Sequence, residues 1–405
     1  MAQQRGRAHA VIVGGGIGGL TAAVALHTSG WHVTVLERAR SLEPVGAAIS
    51  LAPNSLRALD VIGLGEEIRG LAAWQGDGGV RTPSGRWLSR AHAAAVAERF
   101  GGPLVLLHRS ALIDRLAARL PEDAVRVSVP ATLADPGGPD RPARVGTPDG
   151  ELEADLVVAA DGIHSAVRRV LFPGHPGPVY AGFTTWRVVI PVPGLHPGTV
   201  ASHETWGRGR IWGTHPLKDG RVYAYAAAMT PAGGHAPDDE QAGLVRRFGT
   251  WHDPIPQVIA AARPEDVLRH DVHHIAEPLP AFHRGRVALL GDAAHAMPPT
   301  LGQGGNQAVE DAIVLAAHSG DLAAYSAARL LRTTEIARKA VGAARLTMMS
   351  GRVGTAVRDA MVAALSKAAP GLLLRSFDGI ADWCPPQPPY ASDEARAGTP
   401  RKPYE

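Results

Sequence analysis

A chain of 405 residues, 45% apolar and 20% charged, is long enough for two domains or one large elaborated one and has the composition of a soluble globular protein. Its formal net charge of +3, with no block of like charges, gives no ground for a nucleic-acid partner. Cys384 is the only cysteine, which excludes an intrachain disulfide, a dithiol redox pair and a cysteine-rich zinc site and fits a reducing, cytoplasmic setting.

The first residues, MAQQRGR, have no apolar signal core, and no run of about 18 uncharged apolar residues follows, so no transmembrane segment is expected. The chain then opens with a β-type run, Ala10 to Val13, and breaks into a stretch with five glycines in six residues. A helical run continues to His27, and a second β-type run, His32 to Leu36, ends on Glu37. Within this unit Gly14-Gly15-Gly16-Ile17-Gly18-Gly19 satisfies G-x-G-x-x-G. Gly14 allows the tight turn out of the strand, Gly16 lets backbone approach a pyrophosphate, and Gly19 lets the helix pack closely on the strand. A pyrophosphate then sits on free N–H groups at the positive end of a helix. Glu37, 23 residues after Gly14, is placed to accept hydrogen bonds from ribose hydroxyls. The motif alone does not separate NAD from FAD.

Further on, Gly46 to Leu51 reads as a loop entering a helix that begins near Asn54 or Ser55, with apolar positions Leu56, Leu59, Ile62 and Leu64. Pro83-Ser84-Gly85 signals a hairpin between Val80 and Leu88. His108-Arg109-Ser110 leads into an amphipathic helix (Leu112, Ile113, Leu116, Leu120), with Ser110 the expected N-cap. Short strands are expected over 121–153, with turns at Gly137-Gly138 and Asp149-Gly150, before the apolar, parallel-type strand Leu156 to Ala160. From Tyr180 to Met229, aromatic and β-branched runs alternate with turns, as in an antiparallel sheet. A polar loop and a short helical region follow. Val287 to Leu290 returns to a buried strand, a long helix starts near Gly305, and 320–379 read as mostly helical. The Pro-rich end from Pro385 reads as an irregular tail.

Two further motifs carry chemistry. In one, Asp155 to Ala160 delivers Asp161 and Gly162, followed by Ser165 and Arg168; in the other, Arg286 to Leu290 delivers Gly291-Asp292-Ala293-Ala294-His295, then Pro298-Pro299 and Gly302-Gln303-Gly304-Gly305-Asn306. Each is a buried strand ending in an acidic residue at the ligand edge of a sheet. In this order the three motifs resemble the single-component FAD-dependent monooxygenases of the aromatic hydroxylase fold, with salicylate hydroxylase-like and zeaxanthin epoxidase-like members the nearest.

The resemblance implies an α/β fold: a Rossmann-like FAD-binding domain (1–75, 101–179, 280–320) interrupted by a mostly antiparallel substrate domain (76–100, 180–279), then C-terminal helices (321–384) and the Pro-rich tail (385–405). It implies that Gly14, Gly16, Gly19 and Glu37 hold the adenosine half of FAD, that Arg38 and Arg109 contact its phosphate or ribose, and that Asp292 binds the ribityl or pyrophosphate region. Asp161, Gly162 and Arg168 resemble the element serving FAD and the pyridine nucleotide. Gly302, Gly304, Gly305 and Asn306 would lie at the pyrimidine edge of the flavin, where helix N–H groups stabilise negative charge. Pro298 would line the oxygenation site together with Gly302. Trp186, Arg187, Trp212 and Tyr223 are the candidate substrate wall.

Read without the resemblance, Arg109 could pair with a surface carboxylate, Asp161 could be a turn residue, His295 is a packing and hydrogen-bonding residue, and the aromatic residues are ordinary core. The implied reaction uses NADH or NADPH and dioxygen to hydroxylate or epoxidise a small aromatic or polycyclic substrate through a flavin hydroperoxide. An FAD-dependent oxidase or dehydrogenase without oxygen insertion is the alternative, and a flavin-binding protein without turnover is a third reading. A second strand-linked G-x-G-x-x-G is absent, so the nicotinamide nucleotide has no Rossmann domain of its own. No metal is expected, and a monomer and a homodimer both remain open.

Overall fold

The strand His9–Val13 lies inside a six-stranded sheet in the order His283–Arg284, Val287–Leu289, Leu156–Ala159, His9–Val13, His32–Leu36, Val125–Arg126. The computed structural model describes residues 7–42, 48–74, 77–193, 201–368 and 375–386. All neighbouring pairs in this sheet are parallel except the outermost, His283–Arg284 with Val287–Leu289. A central parallel strand is covered on both faces, which is why Val157, Val158, Val287 and Leu289 form unbroken apolar runs. The helix Ile17–Thr28 packs on the helix Gly304–Ala317. That approach is tight, since a Cβ on Gly18 would lie 2.6 Å from Leu290 and 3.1 Å from Ala308.

The second large sheet has seven strands, ordered Leu268–Ile275, Pro178–Ile190, Val222–Met229, Arg210–Pro216, Ser202–Trp206, Gly78–Arg81, Trp87–Ala91. It is antiparallel apart from the pairing of Ser202–Trp206 with Gly78–Arg81. Alternation sorts its residues cleanly. Trp186, Val188, Trp212, Ala224 and Ala226 form a core with Leu244 and Phe248 of the helix Glu240–Phe248 and with Ile255 and Val258 of the helix Ile255–Ala261. Arg187, Tyr223 and Tyr225 point to the opposite face.

Most predicted elements are present, with shifted ends. The hairpin is Gly78–Arg81 with Trp87–Ala91, the strands within 121–153 include the three-stranded sheet Thr132–Asp135, Ala143–Thr147, Gly150–Ala154, and the long C-terminal helices are Leu322–Thr347 and Arg352–Ala368. Two local readings are corrected. Ala48–Leu51, expected as loop, is a strand paired with Val105–His108, more than 50 residues away in sequence. Ser110 is not an N-cap: the strand Val105–His108 runs directly into the helix Arg109–Ala117, whose first turn has no side-chain cap. The early helix begins at Pro53, which suits a first helical turn because proline has no N–H to satisfy there. The tail expected from Pro385 lies outside the described residues beyond Pro386.

Behind the parallel sheet, the helix Gly304–Ala317 turns two acids, Glu310 and Asp311, towards Arg329 of the helix Leu322–Thr347, and all three side chains are buried. Arg329 Nε donates to Asp311 at 2.6 Å and its Nη1 to Glu310 at 2.6 Å. Asp311 Oδ2 also accepts from Gly291 N–H at 2.9 Å and lies 2.5 Å from His295 Nε2. Burial alone would raise the Asp311 carboxyl, but the charges of His295 and Arg329 outweigh it and hold the group well below the usual carboxylate range. Removing one partner from such a set strands a buried charge. Arg329→Met is therefore expected to lower the unfolding free energy by about 3–5 kcal/mol in urea denaturation; a loss below about 1 kcal/mol would mean that the surrounding acids are solvated.

Candidate active site

The carboxyl ends of the parallel strands meet at one edge, and the glycine turn forms its floor. Gly14 has φ +109°, open to glycine alone at little cost, and a Cβ there would sit 2.3 Å from Ala160 O. A Cβ on Gly19 would lie 2.0 Å from Gly14 O. These two glycines are demanded by the protein's own backbone. Gly16 is different: its nearest neighbour for a Cβ is Arg109 Nη2, at 3.9 Å. It faces open space with a cation across it. The helix Ile17–Thr28 begins there with no side-chain cap, so its first N–H groups point into that space.

Glu37 closes one end. Its Oε2 accepts from Gly15 N–H at 2.7 Å and its Oε1 from Ala39 N–H at 2.8 Å, which fixes the carboxylate beside the glycine turn. Arg38, next to it, is exposed. Arg109 stands at the head of its helix with its Nε buried and without a hydrogen-bond partner. Burial pushes its guanidinium pKa down and the charge of Arg187 adds to this, while Asp292 opposes it. Asp292, the first residue of the short helix Asp292–His295, is exposed. A Cβ on Gly304 would lie 3.9 Å from its Oδ1. Gly16, Arg109, Asp292 and Gly304 thus border a single cleft.

Asp161 Oδ2 accepts from the N–H groups of Ala166 and Val167, at 2.8 and 3.2 Å, and so caps the helix Ala166–Leu171; its Oδ1 is buried without a partner. Gly162 turns the chain at φ +80°. Arg168 is buried and its guanidinium is already used, donating to Ala293 O at 2.9 Å and Ile163 O at 2.6 Å. It ties the Asp161 turn to the Asp292 turn. Asn306 is likewise internal: its amide donates to Ser50 O and Gly302 O and its Oδ1 accepts from Ala52 N–H and the Ser55 hydroxyl. Gly302 takes the left-handed conformation at φ +62° just before the helix Gly304–Ala317, which has no side-chain cap. A Cβ on Gly305 would lie 2.9 Å from Ile49. Pro298 borders a cavity of about 340 Å³ with Tyr180, Phe183, Met229 and Met348.

The substrate wall divides. Arg187 and Tyr223 lie on the sheet face turned to Arg109, and burial raises the Tyr223 hydroxyl while Arg187 partly offsets it. Trp186 and Trp212 do not belong there. They are buried on the other face, where Trp186 Nε1 donates to Glu240 at 2.7 Å and Trp212 packs on Phe248. A strand cannot turn residues 186 and 187 to one side. The same alternation adds residues that sequence reasoning passed over: Tyr225, whose hydroxyl donates to Glu204, and His215, stacked on Tyr225 at 5.6 Å and driven by burial to a pKa of about 4. Counting by twos from Tyr223 would have found Tyr225.

The unpaired buried Nε of Arg109, the open space above Gly16, the uncapped helix start and the fixed carboxylate of Glu37 together define a dinucleotide-binding cleft, and they fit a pyrophosphate-bridged cofactor. Comparison with known proteins gives the same answer. Residues 7–348 match the family model described as FAD binding domain. The chain is 39% identical over 316 residues to aurachin C monooxygenase/isomerase of Stigmatella aurantiaca, covering 76% of this chain and 79% of that protein. It is 34% identical over 345 residues to the FAD-dependent urate hydroxylase of Klebsiella pneumoniae, covering 82% and 88%. The crystal structure of Klebsiella pneumoniae HpxO complexed with FAD and uric acid superimposes with a TM-score of 0.81 at 30% identity, covering 93% of this chain and 96% of that one. The chain belongs to the FAD-dependent aromatic hydroxylase family, and it is an FAD-dependent monooxygenase.

The two kinds of glycine separate experimentally. Gly19→Ala forces a backbone clash and is expected to lower the melting temperature of the apoprotein by several degrees. Gly16→Ala is expected to leave that temperature unchanged while weakening FAD binding at least tenfold in a fluorescence titration. Equal FAD affinity in Gly16→Ala would remove Gly16 from the phosphate site.

Proposed function

We propose that the protein uses NADH or NADPH and dioxygen to place one oxygen atom on a small aromatic or polycyclic substrate, by hydroxylation or, on an olefin, by epoxidation, while the two electrons of the nicotinamide reduce the other oxygen atom to water. The observation that carries this reading is the placement of Arg187 and Tyr223 on one sheet face, where the charge of Arg187 acts on both the Tyr223 hydroxyl and Arg109, the cation that borders the glycine turn. The relatives named as a urate hydroxylase and an aurachin C monooxygenase/isomerase support a ring substrate.

Gly14, Gly16, Gly19, Glu37 and Arg109 would hold the adenosine and pyrophosphate portions of FAD, and Asp292 the ribityl side. When bound, FAD supplies hydride acceptance from the nicotinamide and activation of dioxygen. The protein's own groups do the rest. The uncapped N-terminus of the helix Gly304–Ala317 presents backbone N–H groups and a positive dipole end to negative charge arising beside Gly302–Gly305. Tyr223, held neutral by burial, offers a hydroxyl proton to a ring oxygen, and Arg187 supplies the cation that favours an ionised one. The sheet roofs the cleft against water, which strengthens both contacts. Arg38 would reach an outer phosphate or ribose. Asp161, Gly162 and Arg168 would set the turn along which the nicotinamide approaches. We place the enzyme in the cytoplasm, as a monomer or homodimer; its exposed free thiol, Cys384, suits a reducing compartment. No helix among the described residues is long and apolar enough to cross a membrane.

The test is turnover under ¹⁸O₂ with NADH or NADPH and a panel of phenols, purines and hydroxyquinolines. The expected outcome is one labelled oxygen in the product of at least one compound. Reductant consumption that yields only peroxide across the panel would overturn oxygen insertion. With a compound that is turned over, Tyr223→Phe and Arg187→Gln are expected to keep full FAD occupancy while product per reductant oxidised falls at least threefold, assayed as peroxide release. An unchanged ratio in both variants would remove them from the substrate wall.

A further inference from the structure

The Asp292–His295 turn has two sides. Asp292 faces the cleft, and on the reverse Ala294 and His295 border a second cavity of about 330 Å³, closed by the helix Leu322–Thr347 and by the chain from His274 to Phe282. This volume is in the range that takes a small organic molecule. Leu279, Phe282, Ala294 and Val341 make its walls apolar. Its ionisable lining consists of His274, His295, Arg338 and Arg345, with no carboxylate among the described residues that line it. Arg338 and Arg345, seven positions apart on one helix face, are both exposed at the mouth.

The floor carries a second, independent feature. His295 is 5% exposed, its Nε2 is taken by Asp311 at 2.5 Å, and its Nδ1 is buried with no hydrogen-bond partner. The Nδ1 of His274 is likewise buried and without a partner. A buried polar atom left unpaired in a closed protein costs of the order of 1–3 kcal/mol, so such atoms at a cavity wall point to something that completes them. The surroundings fix its charge. Two guanidinium groups in a lining that contains no carboxylate favour an anion, and the unpaired ring nitrogens of His274 and His295 belong to the same lining.

We propose that this cavity is a binding site for a small apolar carboxylate, its hydrocarbon against Leu279 and Phe282 and its carboxylate at the Arg338 guanidinium, on the side of the cavity lined by His295. None of Gly16, Arg109, Asp292 and Gly304 lines this cavity, but it touches their support, because Asp311, which holds His295, also accepts the Gly291 N–H in front of Asp292. Octanoate is a suitable probe, being aliphatic and unlike a ring substrate, and octanamide is its uncharged counterpart.

The experiment is calorimetric titration of both probes into the FAD-loaded enzyme, with FAD occupancy checked by absorbance in every preparation. Octanoate is expected to bind one-to-one and at least tenfold tighter than octanamide. Arg338→Gln is expected to abolish that preference, and Ala337→Trp, which fills the cavity, to abolish binding; saturating NADH is expected to change neither result. Equal affinity for the two probes, no binding of octanoate to the wild type, or unchanged octanoate affinity in Arg338→Gln would overturn the proposal. Displacement of octanoate by NADH would also overturn it, assigning the cavity to the reductant. Should Ala337→Trp fail to fold, Arg338→Gln decides the matter.

Discussion

The buried contact of Asp311 with Arg329, His295 and Gly291 N–H is the constraint on which the flavin side of this molecule depends. Three groups from two segments of chain converge on one carboxylate. Desolvating so much charge is costly, and a well-packed apolar set would give comparable stability. What an apolar set lacks is direction. A carboxylate that accepts from a turn, a helix and an imidazole fixes the angle at which the strand Val287–Leu289 leaves the sheet, and therefore where Asp292 points. The same helix brings Glu310 to Arg329 and Arg332 and, through Asn54 and Gln307, to the early helix Pro53–Val61. The acid-bearing turn and the Gly304 helix are thereby held as one body.

From that body the cleft follows by simple geometry. Parallel strands end at one edge, and each loop leaving that edge adds a part: the glycine turn, the Asp161 turn with Arg168, the Asp292 turn with Gly302–Gly305. Arg168 joins the second to the third by donating to Ala293 O. Asn306 joins the third to the strand Ala48–Leu51. Against this rigid floor the seven-stranded sheet sets Arg187, Tyr223 and Tyr225, with the last anchored to Glu204 and, through Trp206 and Arg358, to the C-terminal helix Arg352–Ala368. Half-buried Arg109, with its Nε buried and unpaired between floor and roof, leaves a cation whose environment calls for an anion.

How much of this was legible in the sequence depends on how local each feature is. The glycine turn could be read directly, because G-x-G-x-x-G between two β-type runs specifies both its conformation and the dinucleotide pyrophosphate it suits. The strands Leu156–Ala159 and Val287–Leu289 were equally plain as apolar runs ending in acids. The faces of the seven-stranded sheet were not: Trp186 and Trp212 look like a ligand wall until the helix Glu240–Phe248 is seen to cover them. Whether a donor is already engaged is also invisible in sequence: the side chains of Arg168 and Asn306 donate to backbone carbonyls that only the fold brings to them. Arg329 left no signal at all, since an arginine within a helical run reads as solvated until its partners fold against it. Ala48–Leu51 read as a loop for a similar reason, its partner being far along the chain.

The account stands or falls on whether the buried carboxylate sets the geometry of the flavin turn, and the direct measurement is the FAD dissociation constant of Asp311→Asn. The amide keeps the size of the side chain and removes the charge that holds Arg329 and His295. With circular dichroism confirming a folded protein at the working temperature, the account predicts FAD binding weakened at least tenfold relative to wild type, although residue 311 lies behind the turn and not in the cleft. Wild-type affinity in a folded Asp311→Asn protein would contradict it, and would mean that the cleft is shaped by its loops alone.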